Sequence, residues 1–125
     1  TFESGWYTYV PTLTGFSADP TNTVYQYRIV GKEVWIRSRQ QANGTSNATS
    51  YTMTAPFTAL TLTNASWSCS CHVVVDNSVI ATALGQSTLA SASASVNVQR
   101  DGAGTAWTNS GGKRVGFYEL RFPIA

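Results

Sequence analysis

A single tryptophan stands among glycines and small polar side chains in the run Asp101-Gly102-Ala103-Gly104-Thr105-Ala106-Trp107-Thr108-Asn109-Ser110-Gly111-Gly112. An indole offers a flat apolar face to the C–H surface of a sugar, and Asp101 and Asn109 supply acceptors and a donor for its hydroxyls. The same indole can instead fold back and plug the end of the domain. Trp35 is the second candidate, within Glu33-Val34-Trp35-Ile36-Arg37-Ser38-Arg39. Alternation places it on the charged side of a strand, where it either stacks on a ligand or is covered by a neighbouring strand, a subunit or the arginine stems. Trp107, Asn109, Asp101 and Trp35 are therefore the candidate receptor-binding residues.

Signals for catalysis are sparse. Glycoside cleavage needs two converging carboxylates, and the acids are Glu3, Asp19, Glu33, Asp76, Asp101 and Glu119. Asp76 and Asp101 read as turn residues and Glu33 follows a turn. No Gly-x-Ser-x-Gly motif is present, and His72 has no second histidine with which to chelate a metal. Cys69 and Cys71 fall on one face of a strand with Cα atoms about 7 Å apart, at the far limit for a disulfide. They read as two buried free thiols, in keeping with folding in a reducing cytoplasm. The triplets Asn43-Gly44-Thr45, Asn47-Ala48-Thr49 and Asn64-Ala65-Ser66 match the glycosylation pattern but read as ordinary loop residues. No enzyme activity, metal or cofactor is expected.

Charged residues make up 11% of the chain, so the surface must consist largely of hydroxyls, amides and small apolar groups. The net charge is +2, and Arg28, Arg37, Arg39, Arg100, Arg114 and Arg121 fall in separate segments, which shows no basic stripe for nucleic acid. No apolar run approaches the ~20 residues of a membrane helix, so no membrane insertion is expected. The 125 residues fit one domain, 1–125, and the opening Thr1 suggests a piece of a longer protein.

The elements that must position these residues read as strands, because apolar residues recur at period two and β-branched and aromatic residues dominate the runs. Val24–Val30 and Glu33–Arg39 flank Gly31-Lys32, which predicts a hairpin with a type II′ turn. Gln40 to Ser50 reads as a polar loop. Tyr51–Ala55 is a strand that Pro56 ends or confines to an edge, and Phe57–Leu62 is a further short one. From Trp67 to Val75, residues Trp67, Cys69, Cys71, Val73 and Val75 share one face. A tight turn at Asp76-Asn77 precedes a strand over Ser78–Thr82. The small residues of Ala90–Val96 suggest a strand pressed against a neighbour, and strands resume at Ser95–Arg100 and Arg114–Phe122. Eight to ten short strands without a convincing helix give an all-β fold, an antiparallel β-sandwich of jelly-roll-like pattern.

Trp6-Tyr7-Thr8-Tyr9-Val10-Pro11-Thr12-Leu13-Thr14-Gly15-Phe16, then Tyr25 to Val34, Asn43 to Thr49 and Ala55-Pro56-Phe57 form an ordered set. This set resembles a recurring pattern in the head domains of bacteriophage tail-fibre and receptor-binding proteins, over about the first half of the chain. The resemblance implies a β-sandwich knob at the distal or C-terminal end of a homotrimeric fibre in the virion tail. Its partners would be other tail proteins and a bacterial surface polysaccharide or protein. Receptor-binding residues vary among such proteins, so none carries over. Low charge and small side chains suit packing between identical subunits. Three other readings stand beside this one: a stand-alone carbohydrate-binding module, a virion decoration domain without receptor binding, and a polysaccharide depolymerase.

Overall fold

The structure, a computed structural model, describes residues 2–125. Twelve strands follow one another along the chain. They are β1 (Tyr7–Thr8), β2 (Leu13–Thr14), β3 (Phe16–Ala18), β4 (Thr21–Val30), β5 (Glu33–Ala42), β6 (Gly44–Ser46), β7 (Thr52–Thr54), β8 (Ser66–Asp76), β9 (Val79–Ile80), β10 (Gly85–Ala90), β11 (Ser95–Gln99) and β12 (Gly112–Pro123). There is no helix among the described residues. The main path runs β1-β4-β5-β12-β8-β10-β11-β7-β2, antiparallel throughout, and the sheet curls into a sandwich-like half-barrel as the strand pattern implies.

The expected hairpin joins β4 to β5. Gly31 has φ +60° and Lys32 does not take a positive φ, as a type II′ turn requires, and Val30 pairs with Glu33 across it. The same turn holds both ends of the described chain. The Gly31 N–H donates to the Phe2 carbonyl at 2.6 Å, and the Ile124 N–H donates to the Lys32 carbonyl at 2.9 Å.

Curling is completed by the N-terminal segment. β1 pairs with β4 on one rim of the sheet and β2 pairs with β7 on the other, so the few residues between them cross the open seam. There the Tyr9 N–H donates to the Tyr25 carbonyl at 3.0 Å, and the Thr12 N–H donates to the Thr54 hydroxyl at 2.8 Å. Both rims thereby find partners, which blunts the edge-strand hazard of an open sheet.

Inside the curl, Val34, Ile36, Tyr118, Leu120 and Phe122 face Met53, Cys71, Leu89, Val96 and Val98, all buried. Each large apolar side chain removed from water contributes about 1.5–3 kcal/mol. The two walls meet where the Tyr118 hydroxyl lies 3.1 Å from the Met53 sulfur.

Some local expectations are corrected. The Gln40–Ser50 stretch is not all loop, because β5 continues to Ala42 and β6 follows, pairing with the start of β12. Phe57–Leu62 forms no strand: it packs as an irregular segment whose Ala59 and Leu60 N–H groups donate to Ser93 and Pro123 carbonyls. The tight turn is centred one residue later, on Asn77-Ser78, both left-handed with φ of 49° and 63°. The strand after it shrinks to Val79–Ile80. Ala90–Val96 is not one strand but the connection from β10 to β11, and its neighbour is the chain itself: Ser91 and Ala92 bond to Ala65 and Leu60.

The face shared by Trp67, Cys69 and Cys71 does not extend to Val73. Val73 has φ +60°, points outward at 45% exposure, and leaves Val74 buried in its place. Opposite it, β12 also changes phase, from inward Val115 to inward Tyr118, with Gly116 between. A Cβ on Gly116 would lie 2.8 Å from the Cβ of Val73, so the two irregularities fit only because that residue is glycine.

Candidate functional site

The outward face of β4, β5 and β12 gathers the large polar and aromatic side chains that alternation turns away from the core. Register sets them in rows across the three strands: Arg28, Trp35 and Arg121; then Gln26, Arg37 and Glu119; then Val24, Arg39 and Phe117. The sequence scatters its arginines, but the fold places Arg28, Arg37, Arg39 and Arg121 together, four of the eight basic residues. Pairing strands that are distant in sequence produces this cluster, and no segment read alone contains it.

Within the first row the Trp35 ring lies between two guanidinium groups, with Arg28 at 5.2 Å and Arg121 at 3.9 Å from the ring centre. Its indole N–H donates to Glu33. Trp35 thus has the covering by arginine side chains that the strand pattern allowed, and it is half-buried. The indole thereby holds two cations in line. Trp6, brought in by the N-terminal segment, repeats the arrangement: Arg37 lies 3.9 Å from its ring centre and Arg28 5.7 Å. Glu3 pairs with Arg28 at 3.6 Å.

The remaining rows are more open. Arg37 Nε donates to the Gln26 side-chain oxygen at 2.7 Å, and Arg39 lies 5.8 Å from the Phe117 ring centre. Between them a depression of about 290 Å³ is lined by Val24, Gln26, Arg37, Arg39, Phe117 and Glu119. Arg39 and Glu119 are exposed, while Arg37 and Phe117 are half-buried. Such a surface offers forked donors, an amide, a carboxylate and apolar patches within one small area.

The glycine-rich loop behaves differently from its sequence reading. Trp107 is 3% exposed, its indole N–H donates to the Val98 carbonyl at 2.9 Å, and its ring packs 5.7 Å from that of Tyr51. Trp107 is a plug of the core and presents no face to a ligand. Asp101 organises the loop, accepting from the Ala103 and Thr105 N–H groups at 3.1 and 2.9 Å, and the hydrogen bonds from Thr105 hold its carboxyl below its ordinary pKa. Asn109 is exposed. The loop brings Asp101, Trp107 and Asn109 into one connection, while Trp35 belongs to the separate face on β5.

Two charges missed by the sequence reading fix this pole of the domain. Asp76, at the end of β8, accepts from Arg100 at 2.6 Å and from the Thr108 N–H and hydroxyl at 2.9 Å each, so it is a buried tie and not a turn residue. Lys113 is wholly buried, with its ammonium donating to the carbonyls of Gly15, Ala48 and Ser50 at 3.1, 3.3 and 2.7 Å. The rings of Phe16, Tyr51 and Trp107 surround it at 5.0 to 5.7 Å. Burial pulls its pKa down to about 8, and three carbonyls match its three N–H donors. No local pattern marks it, since Lys113 falls between Gly112 and Arg114, just outside the strand read at Arg114–Phe122.

Both cysteines are free, Cys71 buried and Cys69 half-buried. Burial pushes the Cys69 thiol up to about 12 and the Cys71 thiol up to about 11, and Cys71 Sγ lies 2.9 Å from the Ser87 hydroxyl. Such thiols stay protonated at neutral pH and pack as small apolar groups.

Fold and face together define an all-β domain with an aromatic and guanidinium platform on one wall. Comparison with protein-family models, with curated proteins and with solved structures finds no match to this chain.

Proposed function

We propose that the chain is a binding domain of a bacteriophage tail appendage that recognises the host surface through the outer face of β4, β5 and β12, with surface saccharide as its ligand. The observation that carries the binding reading is the concentration of Arg28, Arg37, Arg39, Arg121, Trp6, Trp35 and Phe117 on one wall of a chain otherwise poor in charge. Guanidinium forks and amides hydrogen-bond to hydroxyls, and rings pack against sugar C–H groups. The tail-appendage part rests on the ordered resemblance from Trp6 to Phe57. On that basis the domain folds in the host cytoplasm, resides in the virion tail and assembles as a homotrimer with other tail proteins. Free thiols are compatible with that compartment.

The test is adsorption of the labelled domain to bacterial cells and to their isolated surface polysaccharide. Arg37→Gln and Arg39→Gln should each weaken retention by tenfold or more, whereas Asn109→Ala should leave it unchanged. Equal retention for all three variants would remove the assignment of the face. Light scattering in parallel separates a trimeric appendage domain from a monomeric carbohydrate-binding module carrying the same platform.

A further inference from the structure

We infer that the depression between Arg39 and Phe117 is a subsite for an acidic sugar, whose carboxylate is held by Arg39 and Arg37 while its ring lies on Phe117 and Val24. The inference rests on the reading of this face as a saccharide surface and narrows it to one ligand class.

The charge distribution supports this assignment. Glu3 is paired with Arg28, and Glu33 accepts from the Trp35 indole. Among the described residues neither Arg37 nor Arg39 has a carboxylate within 4.0 Å, although Glu119 is the registered partner of Arg37 on β12. Two cations therefore border the depression against one carboxylate. Arg37 is also held in place, with Nε on Gln26 and its plane 3.9 Å from the Trp6 ring centre, so it is fixed before any ligand arrives. Its terminal nitrogens and the whole Arg39 fork make no hydrogen bond to the described residues. A planar fork of this kind suits a carboxylate through two parallel bonds.

A simple inorganic anion would use only the guanidinium groups, but the site has more. Val24 is 44% exposed and the Phe117 ring forms part of the lining, which gives apolar surface beside the charge. Glu119 repels an isolated anion yet accepts from hydroxyls, and Gln26 presents an amide on the same wall. The depression, about 290 Å³, sits at the small end of ligand clefts, which span ~300–1,000 Å³. A group that is anionic at one end, hydroxylated along its edge and apolar on its face meets all of these features, and a uronic-acid-type residue has that chemistry.

The experiment is amide NMR of the whole domain titrated separately with methyl β-D-glucuronide, methyl β-D-glucoside and acetate. The glucuronide is expected to shift the amides of Val24, Arg39 and Phe117 with an affinity at least tenfold above that for the glucoside or acetate. Arg39→Gln should remove the preference, and Arg39→Lys should retain part of it, both with the wild-type spectrum elsewhere. Equal response to the two glycosides would overturn the acidic-sugar inference and leave the saccharide face standing. Acetate acting as strongly as the glucuronide would reduce the site to an anion contact and overturn it as well. No shift on this face from either sugar would defeat both the inference and the reading beneath it.

Discussion

The Lys113 ammonium and the Ser50 carbonyl lie 2.7 Å apart across 63 residues of sequence, in a part of the domain that water does not reach. Two further carbonyls and three aromatic rings complete the enclosure, so the cation ties three loop segments to β12. Lys113→Met preserves most of the volume but leaves the Ser50 carbonyl without a donor, while the Gly15 and Ala48 carbonyls keep the Asn47 N–H and the Ser46 hydroxyl. An unsatisfied buried group costs roughly 1–3 kcal/mol, and the variant should lose about that much in urea unfolding. That is a large share of the ~5–15 kcal/mol available to a domain of this size.

Alkaline pH should unfold the protein through its buried acids. Cys69 and Cys71 have folded values of about 12 and 11 against ~8.5 when unfolded, and burial also raises Tyr9, Tyr51 and Tyr118 above the ~10 of a free phenol. For such groups the stabilisation is complete below the unfolded pKa and is lost as pH climbs toward the folded one. Lys113 works in the opposite sense. Its folded value of about 8 lies below the unfolded ~10.4, so the unfolded chain holds that proton longer and stability from this group rises across the interval. Melting temperature should therefore fall from about pH 9 upward in the wild type. With Cys69→Ala and Cys71→Ala combined, the Lys113 contribution is exposed, and the melting temperature should hold or rise until phenol ionisation takes over near pH 10.

The facing irregularities on β8 and β12 predict opposite effects at neighbouring sites. Gly116→Ala drives a methyl to 2.8 Å from Val73 Cβ and 3.1 Å from the His72 carbonyl, and overpacking of this kind costs about 1–3 kcal/mol. Val73, a β-branched residue at φ +60°, is strained where it stands. Asparagine tolerates that conformation, so Val73→Asn should stabilise the domain by up to ~1 kcal/mol. Chemical denaturation of the two variants gives both signs in one comparison.

Asp76 holds the loop from Arg100 to Gly111 against the end of β8. Asp76→Ala leaves the Thr108 N–H without its acceptor and Arg100, whose side chain is 31% exposed, to water, at a cost of about 1–3 kcal/mol. Hydrogen exchange should show protection lost first at Thr108 and at the Trp107 amide, which donates to the Thr49 carbonyl.

How much of this was legible in sequence depended on range. The Gly31-Lys32 hairpin, the inward Val34, Ile36 and Ser38 and the outward Trp35 follow from period-two patterning and one glycine, because neighbouring residues determine them. The phase change at Val73 was illegible, since a valine carries no local signal for a left-handed backbone and the glycine that permits it, Gly116, lies on a different strand. The loop tryptophan misled for a related reason: glycine-rich surroundings suggest exposure, whereas Tyr51 and the Val98 carbonyl, both distant in sequence, draw Trp107 inside. The arginine and aromatic wall itself required register. Arg28, Arg37 and Arg121 become neighbours only after β4, β5 and β12 are laid side by side.

Because Phe2 and Ile124 are both held at the Gly31-Lys32 turn, the domain should respond to force according to direction. Tension applied between those two ends never crosses the sheet, and it opens the bonds beside the turn one after another, as tape peels from a surface. Tension between a ligand on the Val24, Arg39 and Phe117 row and either end runs lengthwise along β4, β5 and β12. There the ladder bonds are loaded together in shear. The same molecule is then compliant when its ends are drawn apart and firm when it is pulled by its outer wall.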